Sequence, residues 1–472
     1  MYKIVLQNIE NKYDFNELTK IFINEGDYEL YTDTEFAQSE TAKGDANAYA
    51  NEDNSIIITA GGFSKNQVKQ ELYKKLSRIT GKTPKWGIHT GVRPIKLVCE
   101  LFDKYNGSEE LVRDELSRIY LFSDEKLNLA VNIARLQRQI LKPALQNSVG
   151  LYIGIPFCPT RCLYCSFTSN ELRTEKVEEY LSALFLEIEH TKLKMNELSL
   201  YPESIYIGGG TPTTLSAEQL DRLLTKIEGS YDLSKLVEFT VEAGRADTIT
   251  REKLEVLKKH NIKRISINPQ SMKDETLALI GRNHTGKQVE DAFELAHSVG
   301  GFSINADVIA GLPQEKLIDF ENTLTKLVSL NADNITVHTL AVKKGSKLVD
   351  IDSAYHIKRE NVANDMVKLG YSVLKHMGYE PYYLYRQKYM AGALENTGYA
   401  KSGKESVYNI RIMDEHQTIV ALGAGGISKA YFPAENRLMR VPNVSNYEIY
   451  ISRIQDMLDR KTENLFTGGL LC

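Results

Sequence analysis

Three of the five cysteines in this 472-residue chain fall within eight positions: Cys158, Cys162 and Cys165. A C-x3-C-x2-C loop gathers three thiolates, and cysteine thiolates are the ligands that hold iron–sulfur clusters. Three ligands on a four-iron cluster leave one iron open, as a catalytic zinc site leaves a position open for water. Other uses of cysteine fit less well. Five cysteines over this length do not make a disulfide framework, which points to a reducing compartment. A structural zinc site needs a fourth ligand. No histidine lies near the cluster in sequence, and only the distant Cys99 and Cys472 could serve. Cys99 sits in the apolar helical stretch 95–102 and reads as packing.

A reactive loop needs firm elements around it. From residue 151, short apolar stretches alternate with longer helical ones. The pattern predicts strands at 151–155, 204–207, 238–242, 264–268, 303–309 and 334–338. It predicts helices at 174–193, 217–227, 250–260, 286–299 and 317–330. Repeated strand–helix units make a parallel sheet, either an open barrel or a doubly wound one. The cysteine loop follows the first strand directly, in Tyr152-Ile153-Gly154-Ile155-Pro156-Phe157-Cys158. Gly208-Gly209-Gly210-Thr211-Pro212 follows the second, and glycines let a backbone approach a ligand closely. Before this region, residues 1–145 read as an α/β domain, with strands at 2–6 and 55–59 and helices at 14–23, 65–78 and 124–141. Ser64 is placed to cap the second helix, and a turn-rich stretch runs from Pro84 to Pro94. A linker is expected at 142–149. After the barrel region, 150–345, residues 346–472 read as a C-terminal α+β domain. It opens with a helix at 357–377, continues through a strand, glycine turn and strand at 417–431, and has a last helix at 446–458.

Acidic residues outnumber basic ones by 62 to 58, a formal net charge of −4, which argues against a strongly basic nucleic-acid binder. The first fifteen residues lack the apolar region of a signal peptide. No apolar run approaches the roughly 18–20 residues that span a bilayer. The expectation is a cytoplasmic protein.

The cysteine loop at the end of a first barrel strand resembles that of the radical SAM superfamily. The resemblance implies a partial (β/α)6 barrel with a [4Fe–4S] cluster on Cys158, Cys162 and Cys165, whose open iron binds S-adenosylmethionine. An electron from the cluster then cleaves the sulfonium to a 5′-deoxyadenosyl radical. Tyr164 matches the aromatic residue that abuts the adenine, and Gly208, Gly209, Gly210 and Thr211 match the segment that meets the amino group. Within the superfamily the chain is similar to the oxygen-independent coproporphyrinogen III dehydrogenases. The similarity rests on residues 152–157, Gly208 to Pro212, Val241-Glu242-Ala243, Ser266 through Gln270-Ser271, Gly281-Arg282-Asn283-His284 and Ala306-Asp307-Val308 through Pro313. It implies that Tyr152, Glu242, Gln270, Arg282 and Asp307 contact the cofactor. Arg282 would fork onto its carboxylate.

The stretches 86–93 and 382–388, with an N-terminal extension, most resemble the HemZ branch of that family. Two departures bear on the reaction. Phe167 stands where the well-characterised dehydrogenases place another cysteine, as it does in the related haem-chaperone branch. Glu242-Ala243-Gly244-Arg245 replaces the usual Asn-Pro continuation. The family reaction turns two propionates of a porphyrinogen into vinyl groups in haem biosynthesis. The alternatives are a haem-binding chaperone and another tetrapyrrole reaction, such as haem methylation with ring opening. The implied partners are a tetrapyrrole or haem and a reducing donor such as a flavodoxin or ferredoxin. A substrate with four carboxylates calls for cations, and Arg386, Lys388, Lys343 and Lys344 are the candidates.

Overall fold

The computed structural model describes residues 1–43, 55–141, 147–165, 170–171, 173–341, 346–352, 355–387 and 394–466. Two compact units, Met1–Arg135 and Leu136–Cys472, divide the chain. In the first, β1 (Tyr2–Gln7) lies between β2 (Tyr28–Thr32) and β3 (Ser55–Thr59), all parallel. Ile4, Leu6, Ile56 and Ile58 pack on Phe15, Leu18, Leu72 and Leu76 from the helices Tyr13–Phe22 and Lys65–Thr80. Ser64 and Gln67 cap the latter reciprocally. The sequence pattern did not predict β2. It is an edge strand, Tyr-Glu-Leu-Tyr-Thr, with all five residues half-buried, so it has no apolar face to read.

The second unit is built on one eleven-stranded sheet. The expected linker overlaps residues 142–146, which lie outside the described residues. By Ser148 the chain is already in β4 (Ser148–Ile155). Five further strands follow: β5 (Tyr201–Gly209), β6 (Glu238–Glu242), β7 (Arg264–Ser266), β8 (Ser303–Ala310) and β9 (Asn334–Thr339). All six run parallel, side by side in chain order. The helices Thr174–Glu197, Ala217–Glu228, Arg251–Lys259, Gly286–Val299 and Leu317–Ser329 join them. An unbroken order of this kind is the partial (β/α)6 barrel. A doubly wound sheet would reverse its order at a switch point.

The C-terminal α+β part shares this sheet and extends both of its edges. β10 (Glu380–Tyr385) and β11 (Asn396–Ala400) add beyond β9. β11 runs antiparallel to both neighbours, so β10 points the same way as the barrel strands. At the other edge β12 (Ile419–Leu422) pairs parallel with β4, and β13 (Ile427–Phe432) and β14 (Arg437–Pro442) follow antiparallel. The helix expected at 446–458 is two, Tyr447–Ser452 and Ile454–Asn464, parted at Arg453.

Each barrel strand alternates. Leu151, Ile153, Ile205, Ile207, Val241, Ile265, Val308 and Val337 turn to the helices and form the main core. Their neighbours Tyr152, Tyr206, Thr240, Glu242, Asn305, Asp307, Thr336 and His338 therefore share the opposite face. At the N-terminal ends of the strands this face meets the helix Val407–Asp414. The Glu238 carboxylate accepts from Ser406 Oγ at 2.7 Å and Val407 N–H at 2.9 Å. Arg411 forks onto Glu203 at 2.8 and 2.9 Å. Among the described residues no helix is long and apolar enough to cross a membrane.

One buried ion pair pins the last helix to the barrel. Lys461 Nζ lies 2.7 Å from Glu187 Oε1, with both side chains at most 1% exposed. Glu187 also accepts from Gly423 N–H, Asn443 Nδ2 and Tyr450 Oη at 2.6–2.8 Å. Burial would push its carboxyl up, but Lys461 and the Gly423 amide hold it below the usual range. Removing one partner of a buried pair leaves an uncompensated charge, at a cost of about 3–5 kcal/mol. Lys461→Met should lower unfolding free energy by that order in urea titration, and adding Glu187→Gln should recover much of the loss.

Candidate active site

The cysteine loop has little regular structure, and the segments that follow the neighbouring strands hold it. Gly210 N–H donates to Ile155 O at 2.8 Å and Thr211 N–H to Phe157 O at 2.7 Å, which zips the glycine run onto the lead-in to Cys158. Gly209 has a φ of +114°, and a Cβ there would stand 2.9 Å from Ile155 O. A Cβ on Gly210 would stand 2.5 Å from Phe157 O and 3.0 Å from Cys158 Sγ. Only glycine permits this approach. The buried Thr211 places Oγ1 3.5 Å from Cys158 Sγ. At the other end of the loop, Leu163 N–H donates to Ile280 O at 2.9 Å. Arg282 donates to Asn268 O at 2.5 Å, to Tyr164 Oη at 3.3 Å and to the Cys162 side chain. Cys162 is buried, and Cys158 and Cys165 are half-buried.

A second group lies on the polar face of the strands. Tyr206 Oη donates to Glu242 Oε1 at 2.5 Å. The Tyr152 and Tyr206 rings are stacked 6.3 Å apart, and Tyr206 stacks on Tyr408 at 4.6 Å. Burial raises the Glu242 carboxyl to about 7, the negative charge of Asp307 adds to this, and the bonds from Tyr206 and Gly209 oppose it. Gln270 takes a left-handed φ of +68°, unusual for a side-chain-bearing residue. Its N–H donates to Asp307 O at 2.9 Å, and its carbonyl accepts from Ile309 at 3.1 Å. His338 Nε2 lies 3.6 Å from Asp307 Oδ2, and Tyr385 Oη lies 3.3 Å from His338 Nδ1.

The sequence-derived candidates thus fall into two adjoining groups. Cys158, Cys162, Cys165, Tyr164, Gly208 to Thr211 and Arg282 surround the loop. Tyr152, Glu242, Gln270 and Asp307 belong to the strand face. Arg386 follows the end of β10 and is buried. Burial brings its guanidinium down to about 10, against the charge of Glu395. Lys388, Lys343 and Lys344 lie outside the described residues. Residue type alone marks neither Tyr206 nor the lone His338 as functional. Position marks both, since Tyr206 lies two residues before Gly208 and His338 ends the strand expected at 334–338. A cavity of about 750 Å³ opens at the opposite ends of β6, β7 and β8, beside Arg264, Phe302 and Lys404, and none of these candidates lines it.

Comparisons with known proteins agree with this geometry. Residues 152–327 match the family model of the radical SAM superfamily. The chain is 38% identical over 406 residues to the oxygen-independent coproporphyrinogen-III oxidase-like protein HemZ of Bacillus subtilis, across 85% of this chain and 81% of that protein. It is 34% identical over 280 residues to the haem chaperone HemW of the same organism, across 58% of this chain and 69% of that one. Coproporphyrinogen III oxidase (HemN) from Escherichia coli shares the fold at a TM-score of 0.52 and 21% identity, over 69% of this chain and 73% of that structure. The chain belongs to the radical SAM superfamily, in the family of oxygen-independent coproporphyrinogen-III oxidase-like proteins.

Membership brings a [4Fe–4S] cluster and S-adenosylmethionine, and the residues present fit both. Three thiols share one loop, and the glycine run leaves Cys158 Sγ uncrowded. Among the described residues no three His, Cys, Asp or Glu side chains meet at a single-ion site. Thiolates on separate irons of one cluster need no such meeting point.

Changing Cys158, Cys162 or Cys165 to Ala should abolish the brown chromophore and reduce iron and sulfide to background by elemental analysis; a variant that retained both would show different ligands. A pH effect follows from Glu242. Its folded value, about 7, exceeds the unfolded one, which is about 4.3. Its contribution to stability is therefore fully present below the lower value and lost as pH rises to the upper. Glu242→Gln should flatten the decline in unfolding free energy between pH 5.5 and 7.5, measured by urea titration at each pH.

Proposed function

We propose that this chain removes CO2 oxidatively from the propionates of a porphyrinogen, leaving vinyl groups. The similarity to a coproporphyrinogen-III oxidase-like protein over 85% of the chain carries this reading. For each propionate one hydrogen atom and one electron are removed and CO2 departs, so an electron acceptor is needed. A flavodoxin or ferredoxin is a suitable donor for the reducing side. When bound, the cluster and S-adenosylmethionine supply a hydrogen-abstracting 5′-deoxyadenosyl radical. The protein's own part is to bind, orient and handle protons. Glu242, Gln270, Arg282 and Asp307 are proposed to hold S-adenosylmethionine, with Tyr152 and Tyr164 flanking it. His338, between Asp307 and Tyr385 and about a quarter exposed, is proposed to hold a propionate carboxylate by hydrogen bond. Arg386 and Lys388 remain candidate partners for the other carboxylates. Arg386 already faces the charge of Glu395, which makes it the less available of Arg386 and His338.

One observation favours a second reading. Phe167 takes the place of the additional cysteine, and chaperones named HemW match 44–62% of the chain. In that reading the cluster is kept and haem is carried rather than made.

Anaerobic reconstituted protein with S-adenosylmethionine, dithionite and coproporphyrinogen III should yield 5′-deoxyadenosine and a decarboxylated tetrapyrrole by mass spectrometry. Stoichiometric retention of haem without decarboxylation would favour the chaperone. His338→Gln should slow tetrapyrrole turnover about tenfold, the size of one charge-assisted hydrogen bond, and leave uncoupled formation of 5′-deoxyadenosine near the wild-type rate.

A further inference from the structure

Between Cys158 and Cys162 lie only Pro159, Thr160 and Arg161. The middle residue is gripped from outside the loop. Arg245 Nη1 donates to Thr160 Oγ1 at 2.8 Å and to Thr160 O at 3.4 Å. Thr160 Oγ1 in turn donates to Gly281 O at 3.1 Å. The opposite side of the same guanidinium is fixed. Arg245 Nε and Nη2 reach Asp247 Oδ1 and Oδ2, both at 3.0 Å. A bidentate carboxylate of this kind sets the plane of the fork. Arg245 is only 3% exposed. Asp247 also faces His284 Nδ1 at 3.8 Å, and His284 is buried two residues beyond Arg282.

Arg245 lies in the segment after β6, where the related dehydrogenases continue with Asn-Pro. A buried arginine whose remaining donor is given to two atoms of a single loop residue does more than fill space. It holds the middle one of the three residues that set the separation of two cluster ligands. We propose that Arg245 is a positioning residue for the iron–sulfur site, clamping Thr160 so that Cys158 and Cys162 are presented to the cluster in a fixed arrangement, with Asp247 as its anchor. A lysine cannot replace it, because an ammonium lacks the fork that would grip Asp247 and Thr160 together. The inference concerns these residues and stands whichever tetrapyrrole reaction the chain performs.

The test uses the full chain, reconstituted anaerobically with iron and sulfide, in wild type, Arg245→Lys, Thr160→Val and the double variant. Thr160→Val deletes the 2.8 Å contact at the loop together with the bond to Gly281, and keeps the longer backbone contact and the Arg245–Asp247 pair, so it reports even where Arg245→Lys folds poorly. Each single variant should lose its cluster to EDTA about tenfold faster than wild type, the size of one charge-assisted hydrogen bond. Each should also broaden the electron paramagnetic resonance spectrum of the reduced cluster, while the thermal midpoint of the cluster-free chain stays near wild type for Thr160→Val. The double variant should be no worse than the worse single one, since both cut the same link. Wild-type cluster loss and spectrum in Thr160→Val, or additive losses in the double variant, would overturn the clamp. Failure of the wild type itself to take up iron and sulfide would overturn the cluster assignment instead.

Discussion

The cysteine loop leaves regular structure after Cys158, so the backbone groups beyond it must find partners elsewhere. Here they find them on segments from three other strands. Gly210 and Thr211, beyond β5, pair with the lead-in to Cys158. Arg245, beyond β6, holds Thr160. Ile280 and Arg282, beyond β7, hold Leu163, Tyr164 and Cys162. All of these lie past the C-terminal ends of parallel strands. Only a parallel sheet brings successive C-terminal ends to one rim, which is why barrel enzymes work there. The arrangement of the iron ligands thus depends on the register of β4 through β7, and that register depends on the apolar residues turned to the helices.

The other face of those strands is polar through its whole depth. At the N-terminal ends Arg264 reaches both Glu238 and Asn305, and Glu238 accepts from Ser406 and Val407 at the start of the helix Val407–Asp414. Higher up, Tyr152, Tyr206 and Tyr408 stack. At the C-terminal rim stand Glu242, Asp307 and His338. Burying such groups is costly unless they are paired. The partners are supplied in layers, so groups at the rim are oriented before any ligand arrives. Burial, with the charge of Asp307 adding to it, raises Glu242 toward neutrality, and carboxylates shifted in this way are a feature of sites that handle protons.

Much of this was legible in the residues. The six strands, the cysteine loop and the glycine run follow from alternation and spacing, because apolar residues facing helices leave a clear period. The choice between barrel and doubly wound sheet was not legible from periodicity, since both have the same local pattern and differ only in which strands become neighbours. The edge strand β2 was missed for want of an apolar face. The burial of the expected substrate cation Arg386 beside Glu395 depends on contacts that no local pattern encodes. The role of Arg245 was likewise hidden, for its partner Thr160 lies far away in the chain.

The pairing of β12 with β4 has a consequence for how the chain is made. Domains tend to fold from the N-terminus during synthesis. β4 can pair with β5 early, yet its other edge waits for residues 419–422, after almost all of the remaining chain has emerged. Of the six barrel strands, β4 has the longest wait for its second neighbour. An open strand edge invites pairing with another chain, and this edge belongs to the strand that leads into Cys158. A newborn molecule therefore keeps one edge of its iron-ligand strand unguarded for longer than the edge of any other barrel strand.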